Sequence, residues 1–425
     1  MPALGSLLVE PIYVLTDTAV VGRLGTDELG GLALASTVLN TLVLVFNFLS
    51  YGTTVRVAVR RGRGDLAGGA TDALQALWLA GGVGLVVAAG IALTARPLVD
   101  LLGHDAAVVD EGVAYLGISA LGIPFQLVTI ACIGYLYGLP DTRRPFLVLA
   151  GSTSLNLVVE LLLVFGLDWG VEGSALGTVL AQAVSAGVLL AIVVPRLRAD
   201  GLHALRVVPQ VMWALVKVGG HIVQRTGFLL AALAVATAAA SRVGTDELAG
   251  HQIAAQLFIL LAVGVDMFKV AGQSLVGHAL GAERPEEVRE VVDHLYGWGW
   301  RSGILLTVAT VAAAPLLPHL FTGDGDVHGP ATVAIVMLGL LQVPAAHTFV
   351  LDGVLMGGND FRDLRWSTTL AFLASLPVFV AVMVWPGLGL AGVWMGMLVW
   401  VSVRALKNHL RVRGDAWMAS AGTVA

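Results

Sequence analysis

Charge is scarce in this sequence: 12% of the residues are Asp, Glu, Lys or Arg, 57% are hydrophobic, and the mean hydropathy is +0.85. So little polar surface cannot cover a water-soluble globule of 425 residues, which excludes a soluble enzyme or binding domain and makes a lipid bilayer the solvent. Cysteine is nearly absent. The one thiol, Cys132, lies in an apolar run, so neither a disulfide framework nor a Cys-based metal or redox centre can be assembled within one chain. Blocks of like charge are missing too: the net charge is −5 and the basic residues are scattered through short loops, which argues against a nucleic-acid partner. The histidines make no HExxH spacing, and no GxSxG elbow or GxxxxGK[ST] loop occurs. No catalytic activity and no cofactor are therefore expected.

Long apolar runs are abundant instead. A helix needs roughly 20 mainly apolar residues to cross a bilayer, and runs bounded by Gly, Pro and charge predict spans near 2–22, 29–59, 70–94, 107–137, 146–167 and 170–195. A second set follows near 211–241, 247–280, 290–314, 328–357, 364–386 and 388–410. The first run carries Glu10 and Asp17 and no basic lead, so it reads as a span and not as a signal peptide. Its abrupt start is expected of a chain whose first native residues precede Met1, or whose start codon was assigned late.

Lys and Arg concentrate in cytoplasmic loops. Arg56, Arg60, Arg61, Arg63, Arg143, Arg144, Arg196, Arg198, Arg206, Arg284, Arg289, Arg362, Arg365, Arg404, Lys407, Arg411 and Arg413 follow even-numbered spans, whereas Arg23, Arg96 and Arg242 follow odd ones. A multi-pass protein of the cell membrane with both termini cytoplasmic is expected.

Residues 23–33, RLGTDELGGLA, recur at 242–252 as RVGTDELAGHQ, an offset of 219. The same offset carries Gly62 to Gly281, Asp141 to Asp360, and Gly170, Gly173 and Gly177 to Gly389, Gly392 and Gly396. One register held over such a distance marks a duplication. Each copy has an even number of spans, so the predicted fold is all-α and membrane-integral: twelve transmembrane helices in two six-helix lobes related by a pseudo-two-fold axis. The boundaries are 1–195 for the N-terminal lobe, 196–210 for a cytoplasmic linker, and 211–425 for the C-terminal lobe with a short cytoplasmic tail.

An ionisable group inside a span costs at least about 2.5 to 3.5 kcal/mol and needs a partner, a cavity or a function. Asp17 has Tyr13 one turn earlier. Asn156 and Glu160 lie four apart on span 5, as do Thr178 and Gln182 on span 6, so these helices present oxygen ligands able to hold a proton or a sodium ion. A structural hydrogen-bond cluster is the alternative. Span 8 places Gln252, Gln256, Ile259, Val263, Asp266 and Gln273 on one stripe with Lys269 beside it. His221 and Arg225 on span 7 and His347 and Asp352 on span 10 complete the polar set of the second lobe. Pairing of Arg225 or Lys269 with Asp266 or Asp352 is expected there. Asn40 and Asn47 share a face of span 2 and are candidates to line the cavity or to bond between helices.

EPIYVLTDTAVVGRLGTDELGGLALA, LAGHQIAAQLF, VDMFKVAGQSLVGHALGA and the paired IGYLYGLPDTRRP and LDGVLMGGNDFRD resemble the multidrug and toxic compound extrusion (MATE) transporters, in particular their DinF-like branch. The resemblance runs over nearly the whole chain. It implies twelve spans in two lobes and export of organic, often amphipathic or cationic, compounds in exchange for protons or sodium, with no further cofactor and a monomeric protein. It also implies that Asp17, Asn156 with Glu160, and Thr178 carry the coupling ion, with Tyr13 beside the aspartate; Gln182, Asn40 and Asn47 are expected in support from their placement on the helices. Arg225, Gln252, Gln256, Asp266, Lys269 and Asp352 are the cavity residues of the C-terminal lobe. Ile130 and Ile133 stand where some relatives have polar side chains. A flippase for lipids or lipid-linked oligosaccharides, from the same superfamily, is the alternative function, and a membrane enzyme is a more distant one.

Overall fold

The computed structural model describes residues 17–202 and 204–423, and in these the chain is almost entirely helical, with no β-strand. Residues 17–21 are helical, and α1 (Thr26–Phe46) and α2 (Phe48–Gly62) follow. Next come α3 (Leu66–Leu102), α4 (Ala106–Ser119), α5 (Ile123–Gly138), α6 (Arg143–Leu161) and α7 (Gly170–Ala199). The later helices are α8 (Pro209–Val243), α9 (Thr245–Gly281), α10 (Pro285–Ala313), the single turn α11 (Pro318–Phe321), α12 (Gly325–Gly357), α13 (Phe361–Val384) and α14 (Gly389–Arg413).

Ten of the resulting segments are long and apolar enough to cross a membrane. Helix α10 is 29 residues long but more polar, and the first predicted span lies mostly outside the described residues. The duplicated GTDEL motif opens α1 and α9 in the same manner: helix begins at the threonine, and the two acids occupy the first turn, where the helix dipole favours negative charge. Elsewhere aspartates cap helix starts. Asp65 accepts from the Gly68 N–H at 2.9 Å, Asp105 from that of Ala107 at 2.9 Å, and Asp324 from that of Asp326 at 3.0 Å.

The chain forms two compact units, Met1–Gly219 and Gly220–Ala425, with the division inside α8. In the first, the α4–α5 span is packed against α1, α2, α3 and α7; in the second, α12 is packed against α9, α10 and α14. These two spans are the most enclosed, 56% of the central window being buried in each. Glycines set their approach to the neighbouring helix. A Cβ on Gly353 would stand 2.5 Å from the carbonyl oxygen of Lys269, and one on Gly357 2.9 Å from the Val276 side chain. Under the 219-residue offset the same seam recurs in the first unit, where Gly134 meets the Ser50 carbonyl at 2.7 Å and Gly138 meets Val57 at 2.8 Å. The matched triplets divide their work: Gly170 and Gly389 have φ of 53° and 61°, in the left-handed region that glycine tolerates, whereas Gly177 and Gly396 admit Glu160 and Phe379 at close range.

Residues 204–208 run without regular structure, pinned to α3 by Gln75, which donates to the Arg206 carbonyl (2.9 Å) and accepts from the Val208 N–H (2.8 Å). Two arginines counted with the loops are buried within helices. Arg56 in α2 is buried against Asp72, and Arg404 in α14 is buried against Asp352. Neither is a loop charge, because each has a carboxylate on a neighbouring helix to receive it.

Candidate functional site

Four helical segments of the first unit bring their polar side chains to one buried point. Asp17 accepts from the Ser174 hydroxyl at 2.7 Å and from the Tyr115 hydroxyl at 3.3 Å. The same Ser174 oxygen lies 2.9 Å from Oε1 of Glu160. Asn156, one turn before Glu160, donates to Thr178 at 3.4 Å, and Thr178 donates to the Ser174 carbonyl at 3.2 Å. Asp17, Glu160, Asn156, Thr178, Ser174 and Tyr115 are all buried. Gly177 makes this possible: a Cβ there would stand 3.3 Å from Cα of Glu160, so α7 lies directly against α6.

The structure thus brings Asp17, Asn156, Glu160 and Thr178 together and adds Ser174 and Tyr115, which the sequence reading did not single out. Ser174 was within reach of that reading, since it lies four residues before Thr178 as Gln182 lies four after. Gln182 is elsewhere: its side-chain oxygen turns toward Gly122, buried and without a hydrogen-bond partner among the described residues. Tyr13 lies outside the described residues. Asn40 is exposed on α1, and Asn47 occupies the one-residue interruption between α1 and α2, where its carbonyl accepts from the N–H groups of Ser50 and Tyr51. The expected shared face of Asn40 and Asn47 is therefore not formed by one unbroken helix.

The chemistry of the Asp17 site is governed by a shortage of hydrogens. A serine hydroxyl has one hydrogen to donate, and an ionised carboxylate only accepts. With both acids ionised, Ser174 can satisfy Asp17 or Glu160 but not both, while two negative charges stand on either side of one oxygen in apolar surroundings. A single proton on either carboxyl supplies the missing hydrogen and removes the like-charge repulsion. A cation held by the same oxygens would relieve the repulsion by another route. Among the described residues no group of three or more His, Cys, Asp or Glu is placed to hold a metal ion.

In the second unit the expected charge pairing takes the form Arg225 with Asp352 and Lys269 with Asp266. Asp352 of α12 receives Arg225 of α8, Arg404 of α14 at 2.7 Å, and the Asn408 amide at 2.9 Å. Asp266 and Lys269 pair within α9. The α9 stripe is divided by depth: Gln252, Gln256 and Ile259 are exposed, and Lys269 and Gln273 are buried. His347 is not part of this cluster. It stacks on Tyr296 and lies 3.5 Å from His409, in the wall of a cavity of about 720 Å³ between α10, α12, α14 and the C-terminal turn Met418–Thr423.

The duplication copied the seams but not the buried charges of the two polar clusters. Shifted by 219, Asp17, Glu160, Ser174 and Thr178 fall on Ala236, Phe379, Val393 and Met397, all in the buried apolar core of the second unit. In the other direction, Asp352 and Asn408 fall on Ile133 and Leu189 of the first unit.

The sequence pattern that defines the MatE family matches residues 2–162 and 228–381, one stretch in each half. The chain belongs to the MatE family, the multidrug and toxic compound extrusion transporters. Its relatives include the DNA damage-inducible protein F of Escherichia coli K12, 27% identical over 444 residues, covering 99% of this chain and 93% of that one. The probable multidrug resistance protein NorM of Thermotoga maritima is 26% identical over 441 residues, covering 98% and 91%. Among solved structures, the Vibrio cholerae MATE transporter VcmN in its bent form superposes with a TM-score of 0.89 at 19% identity, covering 100% of this chain and 96% of that one. The likeness to these twelve-helix transporters agrees with the nearly all-helical chain and its ten apolar spans.

Proposed function

We propose that this MatE protein is a proton-coupled antiporter of the cell membrane that exports amphipathic organic compounds by alternating access, and that Asp17, Glu160, Asn156 and Thr178 carry the coupling ion with Ser174 and Tyr115. The observation that supports it is the Ser174 bridge, in which one hydroxyl hydrogen serves two buried carboxylates. A proton entering from outside completes the network, and its release toward the cytoplasm leaves two repelling charges. That difference biases a two-state equilibrium, because an ion shifts a population only through its differential affinity for the two states. Arg225, Asp266, Lys269 and Asp352, with the exposed Gln252 and Gln256, serve the compound. Tyr13, Asn40, Asn47 and Gln182 support the N-terminal lobe, residues 1–195, which the cytoplasmic segment 196–210 joins to the C-terminal lobe, 211–425. The transporter works as a monomer with both termini cytoplasmic, needs no cofactor, and performs transport without catalysis.

The test is uptake of a fluorescent substrate into inside-out proteoliposomes under separately imposed proton and sodium gradients. A proton gradient alone should drive wild-type uptake, and Asp17→Asn, which keeps size and hydrogen bonding, should insert normally but lose the response to the gradient. Uptake driven by sodium alone would replace the proton by sodium at the same oxygens. Gradient-driven uptake by Asp17→Asn at wild-type rates would place coupling elsewhere.

A further inference from the structure

One face of α10 changes character along its length in the order that a phospholipid does. Arg289, Asp293, Tyr296 and Trp300 follow one another at spacings of four, three and four, a single helical stripe, and all of them line the cavity of about 720 Å³ between α10, α12, α14 and the C-terminal turn. The next turns of the helix carry Ile304 and Val308, each more than half exposed, as Trp300 is. Charge gives way to aromatic rings, and rings to aliphatic side chains open to lipid. The depth of the cavity agrees. Helix α12 has 33 residues and is about 50 Å long; centred in a hydrocarbon core about 30 Å thick, it extends about 10 Å past either side. His347 lies ten residues before its end at Gly357, or about 15 Å along the axis. Its ring is 4.8 Å from that of Tyr296 and 5.6 Å from that of Trp300. The aromatic floor of the cavity therefore sits just inside the hydrocarbon boundary, where aromatic side chains collect, and its charged mouth lies among the lipid head groups.

Across that mouth Arg289 pairs with Asp415 at 3.3 Å. Asp293 and Arg413 are left over: both are exposed, neither makes an ion pair or side-chain hydrogen bond among the described residues, and the charges of both reach the Tyr296 hydroxyl. A lone charge at a helix end is ordinary. One anion and one cation beside the same tyrosine, at the mouth of a cavity large enough for a small organic molecule, make a two-point receptor. We propose that this cavity holds the head group of a phospholipid of the ethanolamine type, with its phosphate on Arg413, its primary ammonium on Asp293 and its acyl chains along Trp300, Ile304 and Val308. A guanidinium matches a phosphate oxygen pair, and a carboxylate accepts from the N–H donors of a primary ammonium. A choline head group has no such donors, and a glycerol head group brings the phosphate without the cation. The site requires only that the chain crosses a bilayer and makes no use of the proton-coupling reading.

The experiment titrates the purified, delipidated full-length protein in detergent with dioleoyl phosphatidylethanolamine, phosphatidylcholine and phosphatidylglycerol, and reads bound lipid by native mass spectrometry and Tm by thermal unfolding. Wild type should bind the ethanolamine lipid about tenfold more tightly than the other two, and that lipid alone should raise Tm by several degrees. Arg413→Gln should weaken all three lipids about tenfold, whereas Asp293→Asn should remove the preference for ethanolamine over choline. Both variants should unfold at the wild-type Tm in lipid-free detergent, since neither side chain gives up a protein partner. Glu286→Gln, exposed at the same end of α10 but outside the cavity, should change nothing. Equal binding of the three lipids to wild type, or affinities that survive both substitutions, would show only annular lipid and overturn the proposal. Displacement of the lipid by equimolar O-phosphoethanolamine, a head group without chains, would overturn it in favour of a soluble ligand, and a lipid-free Tm lowered by several degrees in either variant would make the charges structural. A transport failure in the proton-gradient assay leaves these binding results standing, so the two readings fail separately.

Discussion

Ser174 is a small residue in a decisive place. Its hydroxyl touches both Asp17 and Glu160, and hydrogen bonds to charged groups contribute about 1.5 to 3 kcal/mol each. Ser174→Ala removes the bridge without changing the backbone, so gradient-driven transport should fall by about 10- to 100-fold while the amount of inserted protein is unchanged. Initial rates of uptake normalised to purified protein measure this, and a rate within twofold of wild type would show that the two acids communicate without the hydroxyl. The sequence placed Asp17, Asn156, Glu160 and Thr178 through the cost of burying them. Ser174 escaped it because a serine or threonine hydroxyl in a membrane helix can bond its own backbone at little cost, as Thr53 does with the Leu49 carbonyl, and Tyr115 because its ring belongs in an apolar run. Arg404 escaped for another reason: an arginine nine residues before the end of a basic helix reads as a loop charge until Asp352 is seen beside it.

At the scale of elements, the paired glycine seams make a prediction of their own. Extra atoms in a close-packed contact cost about 1 to 3 kcal/mol. Gly353→Ala and Gly134→Ala, each directed at a backbone carbonyl, should both lower Tm by several degrees. Gly187 and Gly264 have nothing within 4 Å of an added Cβ, and alanine there should leave Tm unchanged or raise it slightly. Thermal unfolding of the four variants in one detergent compares them directly, and equal Tm values throughout would mean that the seams yield without cost. The helix limits were legible in the sequence to within a few residues, since apolar runs ended by Gly, Pro or charge leave little choice: 146–167 became Arg143–Gly166, and 211–241 became Pro209–Val243. The largest discrepancy, 70–94 against Leu66–Leu102, arises because Pro97 and Arg96 look like terminators although the helix continues past both. The break at Asn47 carries no sequence signal, as no proline or glycine marks it.

For the whole molecule, removing Arg56 and Arg404 from the loop count leaves the asymmetry of the remaining loop cations in place. Loops holding Arg143 and Arg362 should face the cytoplasm and the one holding Thr245 the outside. Single cysteines introduced at these three positions in a Cys132→Ala background should label accordingly with a membrane-impermeant maleimide, the first two only after permeabilisation. Labelling of all three in intact cells would refute the topology.

The long-range partners of the buried charges also set a schedule for making the protein. Arg225 leaves the ribosome 127 residues before Asp352, and Asp17 157 residues before Ser174. At about 5 to 20 residues per second, several seconds or more separate a charge from the group that answers it. Spans cannot therefore be released singly into lipid at no cost. The early helices must be held at the insertion machinery, or near water, until the later ones emerge, and a nascent chain halted before α12 would present Arg225 without Asp352 as a mark for quality-control proteolysis.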